Sequence, residues 1–376
     1  MLALSLLGCG SNERGTAAAP VATLAATRTT TVASAPSAPT DAGSNPPAPA
    51  ATAAPAPTDN ADTTVSFLAV GDILLSRLVA GRIAATHDPL LPFRGMAEVF
   101  RSVDFCFGNL EAPFSGQPGF STSPANIFNT PLENVSGLRE HHFSVLGLAN
   151  NHMLDQGPAG LRFTLSYLHE QGITTFGVGE NEDEAWRGAV VEVRGIRIGF
   201  VGASYASVND NGTLRNRFVA RIEDEQRLAA ALARLRTEAD FVVATMHAGA
   251  EYNPHVVPTE ERFAHRAVEL GADLVLGAHP HVLHRVEQYR GKYLFYSLGN
   301  FIFDHEPLPR RQGLALRIHL RRPVASTSPG RAPVALERIE LLPVVIEDHS
   351  TPRPATAAEA REILASIGMH DAVLVP

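Results

Sequence analysis

Five apolar runs in this chain end in residues that bind metals or move protons. His279-Pro280-His281 is the sharpest signal. Pro280 disrupts regular strand pairing, so the motif predicts a turn that aims both imidazoles at a common centre. Imidazole is the commonest metal ligand at neutral pH; a solvent-exposed turn is the plainer alternative. His247 lies in Met246-His247-Ala248-Gly249, where Gly249 admits close backbone approach. Asp72 follows a buried run and is either a hard oxygen ligand or a helix cap. Gly108-Asn109-Leu110-Glu111 offers an amide oxygen and a carboxylate two residues apart, with Glu111 the better single choice. Asn151 adds an amide oxygen. His152 beside it reads as a proton donor rather than a ligand. Asp155 either fixes the His152 tautomer or is a turn residue before Gln156-Gly157-Pro158. Glu251 is an acceptor for an imidazole or a loop carboxylate.

Mixed nitrogen and oxygen ligands with no thiolate suit Mn, Zn, Fe or Co. About six side chains are enough for two divalent ions, which can clamp an in-line displacement.

The elements must bring these residues together. Short apolar strands are expected at Val65–Val70, Val103–Phe107, Phe143–Leu148, Ile173–Phe176, Phe241–Thr245 and Leu274–Leu276. Helices are expected at Pro92–Arg101, Pro158–Gln171, Glu223–Arg236, Thr259–Leu270 and Ala357–Ser366, and a hairpin turns at Arg194-Gly195. Further strands are expected at Val282–Val286, Tyr293–Ser297, Leu314–Leu320 and Val334–Leu342. Strands alternating with helices imply a mostly parallel sheet, whose carboxyl edge collects ligands. The closing strands suggest a second sheet. The fold class is therefore α/β, a four-layer α/β sandwich of mixed sheets flanked by helices, with three layers as the alternative.

Several ordered stretches together resemble the capsule-synthesis CapA family, or poly-γ-glutamate biosynthesis proteins. They are Val70-Gly71-Asp72, Phe107 to Glu111, and Leu148 to His152 with Asp155 and Gly157. Next come His247-Ala248-Gly249 with Glu251-Tyr252, and Gly271 to Val275 with Gly277 to Val282. Tyr296 to Phe301 with Phe303-Asp304 closes the series. The family is placed in the calcineurin-like metallophosphoesterase superfamily, so the resemblance implies a metallophosphoesterase-like fold over roughly Val65 to Asp304. It implies Asp72, Asn109 or Glu111, Asn151, His247, His279 and His281 as ligands and His152 as the acid for the leaving group. The chain departs from the superfamily pattern twice: Asp72 is followed by Ile73-Leu74 where Asp-x-His is usual, and Asn109 stands where a bridging Asp is usual. Either Glu111 bridges instead, or only one metal binds firmly.

Residues 1–9 end in Leu6-Leu7-Gly8-Cys9, which resembles a lipoprotein signal with a lipid-accepting cysteine. Residues 10–63 are rich in Ala, Pro and Thr, with no periodic apolar face, and read as a disordered tether. Residues 64–376 are expected to form the CapA-like domain that the resemblance implies. This plan implies a lipid on Cys9 and a cell-envelope location outside the cytoplasm. Cys106 reads as a small buried hydrophobe.

Composition narrows the rest. The chain has 376 residues and a formal net charge of -8, with 31 basic and 39 acidic side chains. That balance argues against a nucleic-acid partner. Two cysteines exclude a disulfide scaffold and a Cys-based zinc site. No apolar run reaches the roughly 18 residues of a spanning helix.

Two functional readings follow. One is a metal-dependent hydrolase or transferase acting on a capsular polymer such as poly-γ-glutamate, with a phosphoesterase as its variant. The other is a non-catalytic metal-binding accessory subunit. In both, capsular polymer and capsule-synthesis membrane proteins are the expected partners.

Overall fold

The computed structural model describes residues 21–25, 62–121, 126–205, 217–324, 332–369 and 374–375. Its strands, in chain order, are β1 (Val21–Ala25), β2 (Thr63–Ile73), β3 (Phe105–Leu110), β4 (Phe143–Gly147), β5 (Thr174–Phe176), β6 (Ala189–Val193), β7 (Ile196–Ser204), β8 (Phe241–His247), β9 (Leu274–Ala278), β10 (Val286–Tyr289), β11 (Lys292–Phe295), β12 (Asn300–Ile302), β13 (Gln312–Arg322), β14 (Ala335–Glu347), β15 (Thr351–Pro354) and β16 (Leu374–Val375). The helices are α1 (Arg77–Thr86), α2 (Ala97–Arg101), α3 (Val135–Glu140), α4 (Gly157–Glu170), α5 (Glu182–Ala185), α6 (Glu225–Glu238), α7 (Pro258–Glu269) and α8 (Ala357–Ser366).

The strands make two sheets. The first runs β16-β1-β14-β13-β2-β3-β4-β5, with β12 beside β2 and β15 beside β14. The second runs β10-β11-β9-β8-β7-β6. Pairing is parallel through β2, β3, β4 and β5, and again through β7, β8, β9 and β11.

Alternation along each strand explains the layering. Phe67 and Ala69 of β2 enter the core between the sheets, whereas Leu68 and Val70 face the opposite way, onto helices. Phe105 and Phe107 repeat this on either side of Cys106. In the second sheet, Phe241 and Val243 face the first sheet while Val242 and Ala244 face α6 and α7. Both sheets are thus buried on two faces, and near-continuous apolar runs are the consequence. The four-layer α/β sandwich is present: α1 to α4, β, β, then α6 and α7. Phe67, Phe107, Phe176 and Phe200 knit the central layer, with Phe107 and Phe200 ring centroids 5.5 Å apart. Cys106 is fully buried, as expected, and burial pushes its thiol pKa up.

Several expectations need correction. Of the closing strands, β10 and β11 join the second sheet, but β13 and β14 do not. β13 pairs antiparallel with β2, with Leu316 opposite Ala69 and Ile318 opposite Phe67, so it widens the first sheet. The second sheet is built instead from the hairpin β6-β7 onward. The expected strand at Val282–Val286 begins only at Val286, because residues 279–285 form the turn that carries the two histidines. The helix expected over Pro92–Arg101 opens as a 3-10 turn, Leu91–Met96, before α2. Within the expected tether, Val21–Ala25 is a strand paired antiparallel with β14, and Leu24 packs against the inter-sheet core. Cys9 lies outside the described residues. Among the described residues no helix is long and apolar enough to cross a membrane.

Candidate metal centre

Asp72, Asn109 and His247 were expected just past their strands; each instead lies inside the end of one. The registers show why. Asp72 pairs with Asn109 on β3 and with Asn300 on β12, giving a row of three polar residues across one sheet. In the other sheet His247 pairs with Ser204 and Ala278, one residue before His279. Gly71 makes the first row possible. A Cβ there would fall 1.9 Å from the Gly299 carbonyl oxygen, and the Asp72 amide donates to that oxygen at 3.1 Å. The carboxyl ends of both parallel sheets therefore face one another around a single buried centre.

His279 and His281 leave β9 in a turn with both φ angles positive, 101° and 58°. Such conformations cost about 1–3 kcal/mol each and persist where the surroundings fix them. Gly249 (φ 117°) packs under this turn, where a Cβ would lie 2.9 Å from Pro280 Cγ. The rings are walled by aromatics: Tyr205 lies 4.6 Å from His279, and Phe303 4.5 Å from His281, between ring centroids.

All seven expected ligands and both expected proton-transfer residues converge here, and all but Asp155 are buried as whole residues. His247 Nε2 lies 2.7 Å from Asn151 Oδ1, 3.1 Å from His279 Nδ1 and 3.6 Å from Glu111 Oε1. His281 places Nδ1 3.5 Å from Asp72 Oδ2 and Nε2 3.8 Å from Glu111 Oε1. Donors about 2.1 Å from one ion stand roughly 3–3.6 Å apart, so the His247–His279 and His247–Glu111 spacings fit a shared cation and the His281–Glu111 spacing lies just beyond that range. Two triads of ligand atoms emerge, Glu111-His247-His279 and Asp72-Glu111-His281, with Glu111 in both.

Glu111 supplies the chemical test of that fit. Both carboxylate oxygens are buried and have no hydrogen-bond partner. Burial, then the charges of Asp72 and Glu251, push its pKa well above the usual carboxylate range, against the pull of Arg77. An unpaired buried carboxylate is costly, and a cation between the triads restores its charge. His247 and His279 have pKa values pushed well below the ordinary value, first by burial and then by neighbouring histidines. They are neutral imidazoles at neutral pH, the form that coordinates metals.

Asn109 does not present its oxygen to the centre. Its Nδ2 donates to Asp72 Oδ1 at 2.7 Å and faces His247 Nδ1 at 3.2 Å, while Oδ1 accepts from Asn150 Nδ2 at 3.3 Å. It therefore holds Asp72 and His247 in place, and ligation through Oδ1 requires the amide to turn over.

His152 lies beside the triads, with Nε2 3.9 Å from Glu111 Oε1 and Nδ1 2.8 Å from Asp155 Oδ2. Phe128 stacks on the imidazole at 3.9 Å, and its backbone N–H donates to Asp155 at 2.6 Å. Glu251 is exposed and acts on Tyr252 rather than on an imidazole.

The sequence reading missed several partners. Asn300 Oδ1 lies 2.9 Å from His281 Nδ1 and orients that ring. Its motif, Ser297-Leu298-Gly299-Asn300, was visible but carried no role. Arg77 forms a buried two-point ion pair with Asp304, Nε to Oδ2 at 3.0 Å, and nothing local in the sequence signals it. His305 packs on His281; burial, then His281, Arg77 and Arg310, push its pKa down to about 2.

The sequence profile of the bacterial capsule synthesis protein family PGA_cap matches residues 66–305, which contain every residue of this centre. The PGA biosynthesis protein CapA of Bacillus subtilis is 30% identical over 264 residues, covering 70% of this chain and 69% of its own length. The capsule biosynthesis protein CapA of Bacillus anthracis is 29% identical over 299 residues, 77% of this chain and 69% of its own. Among solved structures, a protein from Staphylococcus aureus named as a 5'-nucleotidase aligns with a TM-score of 0.46 at 18% identity. That alignment covers 76% of this chain and 55% of the nucleotidase, so the chain spans about half its length.

Proposed function

The chain belongs to the bacterial capsule synthesis protein family PGA_cap, and from that premise we propose that it is a metal-dependent hydrolase or transferase. It acts in the synthesis, anchoring or export of a capsular polyanion of the poly-γ-glutamate type. The observation that carries this reading is the sharing of Glu111 between two buried ligand triads, with His152 3.9 Å away.

Asp72, Glu111 and His281 would hold one divalent ion; Glu111, His247 and His279, with Asn151, would hold the other. Mn, Zn or Fe fits this donor set. When bound, the ions supply Lewis acidity to the carbonyl or phosphoryl centre under attack. The chain's own residues do the rest. Asp155 accepts from His152 Nδ1, which fixes the orientation of the ring. Nε2 is left facing the centre, where it hands a proton to the leaving group. Phe128 holds the imidazole plane and keeps water from that face.

The test is elemental analysis and turnover on the full chain, with oligo-γ-glutamate and phosphoesters as substrates. Two ions per chain and turnover that His152→Ala removes, with metal retained, support the reading. Turnover untouched by His152→Ala removes the proton-donor role of His152, and no turnover by the metal-loaded wild type sinks the catalytic reading and leaves a metal-binding accessory protein.

The same reading puts the protein at the cell envelope, tethered by lipid on Cys9 beside capsule-synthesis membrane proteins. Cys9→Ser then moves it from the membrane fraction to the soluble one. A Cys9→Ser protein that stays with the membrane removes the lipid anchor.

A further inference from the structure

Two arginines stand at the rim of the metal centre, and only one is neutralised. Arg77 is consumed by its buried ion pair with Asp304, whose side chain is fully buried. Arg310 has no carboxylate partner among the described residues. Its guanidinium lies over the Tyr252 ring, 3.3 Å from the centroid. Such a contact holds the guanidinium over the ring, while no carboxylate takes its N–H groups among the described residues.

Tyr252 is hung from the turn that carries His279 and His281, and Arg310 from Asn300, which orients His281. The Tyr252 N–H donates to the Pro280 carbonyl at 2.8 Å, between His279 and His281. Tyr252 holds a positive φ of 64° there and remains 39% exposed, so its ring is presented at the surface. The Arg310 carbonyl accepts from Asn300 Nδ2 at 2.7 Å, and the same Asn300 orients His281 through Oδ1. Tyr252 and His281 rings are 6.0 Å apart. Arg310 is thus a cation held near the His279–His281 turn, through Tyr252 on one side and Asn300 on the other.

We infer that Arg310, stacked on Tyr252, is the anion-recognition subsite of this centre. It would bind a carboxylate or phosphate carried by the substrate next to the bond that reacts. The substrate class in this inference rests on the reading above; the subsite itself rests on the geometry. A planar guanidinium suits a two-oxygen anion, and an uncharged analogue forfeits the pairing. In a chain of net charge -8, such a local cation is what lets a polyanion approach.

The experiment measures calorimetric binding to the full, metal-loaded chain. The ligands are oligo-γ-glutamate, the same oligomer with its carboxylates amidated, and phenyl phosphate. The proteins are wild type, Arg310→Gln, Arg310→Lys and Tyr252→Leu, with metal content and thermal midpoint measured on each. Arg310→Gln is expected to weaken oligo-γ-glutamate roughly ten- to a hundredfold, the range of one charge-assisted pair, and to leave the amidated oligomer unchanged. Arg310→Lys and Tyr252→Leu should lose part of that. If wild type binds only phenyl phosphate and Arg310→Gln weakens it, the subsite stands and the polyglutamate reading falls. Equal loss for charged and amidated oligomers, no loss for either anion, or no binding of either anion by wild type overturns the subsite.

Discussion

Glu111 Oε1 and His281 Nε2 face each other at 3.8 Å with no hydrogen bond between them. The gap is too long for a direct bond and suits two ligands with an atom between them. The same oxygen stands 3.6 Å from His247 Nε2 on the other side. Glu111 is therefore the hinge of the centre, and its energetic sign depends on what fills it.

That sign can be measured. With chelator, Glu111→Gln should be more stable than wild type by about 1–3 kcal/mol, because a buried charge without a partner is gone. With Mn or Zn the order should invert, since the variant loses the ligand common to both triads. Denaturant midpoints with and without chelator read this directly. A variant weaker under both conditions would mean that the protein alone satisfies the carboxylate.

Metal count separates the triads. His279→Ala touches one of them and should drop the content from about two ions to about one. Glu111→Ala touches both and should drop it below one. Elemental analysis of dialysed protein decides; equal content in the two variants would break the shared-ligand arrangement.

His152 and Asp155 should split turnover from binding. His152→Ala should cost roughly 10²–10⁴-fold in kcat, the usual worth of a positioned acid, with metal content intact. Asp155→Asn should cost less, because it removes orientation rather than the proton donor, and it also weakens the anchor of Phe128. A loss carried wholly by KM would place both residues in substrate binding instead.

Asn300 acts through other residues. Asn300→Ala frees the His281 ring and the Arg310 backbone together. Metal affinity should fall about 10–100-fold, as for other partners that orient a ligand. Titration with a competing chelator measures it, and an unchanged affinity would mean that Phe303 and Asp72 suffice to hold His281.

The sequence revealed these residues unevenly, for a physical reason. Asp72, Glu111, Asn151, His247, His279 and His281 each close an apolar run, so pattern and residue type coincide locally. Their orienting partners do not share that pattern. Asn300 reaches His281 across 19 positions, and Arg77 reaches Asp304 across 227. Only the folded registers bring them together. Asn109 shows the opposite failure: its place was legible, but the direction of its amide depends on Asp72 and Asn150. The layering was legible because strands buried on two faces read as apolar runs. The sheet that β13 joins was not, since pairing partners are set by tertiary contacts with β2 rather than by the strand itself.

The last prediction concerns the far end of the fold, where sequence and structure agree residue for residue. α8 spans Ala357–Ser366 as expected and sinks Ile363 and Leu364 into the inter-sheet core. Its start is a capping box: Thr356 Oγ1 accepts from the Glu359 amide, and Glu359 Oε2 accepts from the Thr356 amide at 2.7 Å. Thr356→Ala should cost about 1 kcal/mol. Arg353 on β15 clamps the same carboxylate at 2.8 and 3.0 Å, which holds the Glu359 pKa down to about 2. A carboxyl held below its ordinary value of 4.5 stabilises the fold above that pH and loses the contribution as pH falls towards 2. Glu359→Gln should therefore lower the thermal midpoint at pH 7, and the gap to wild type should close between about pH 4.5 and pH 2. A gap that persists unchanged at pH 2 would assign the effect to the cap's hydrogen bonds rather than to the charge on Arg353.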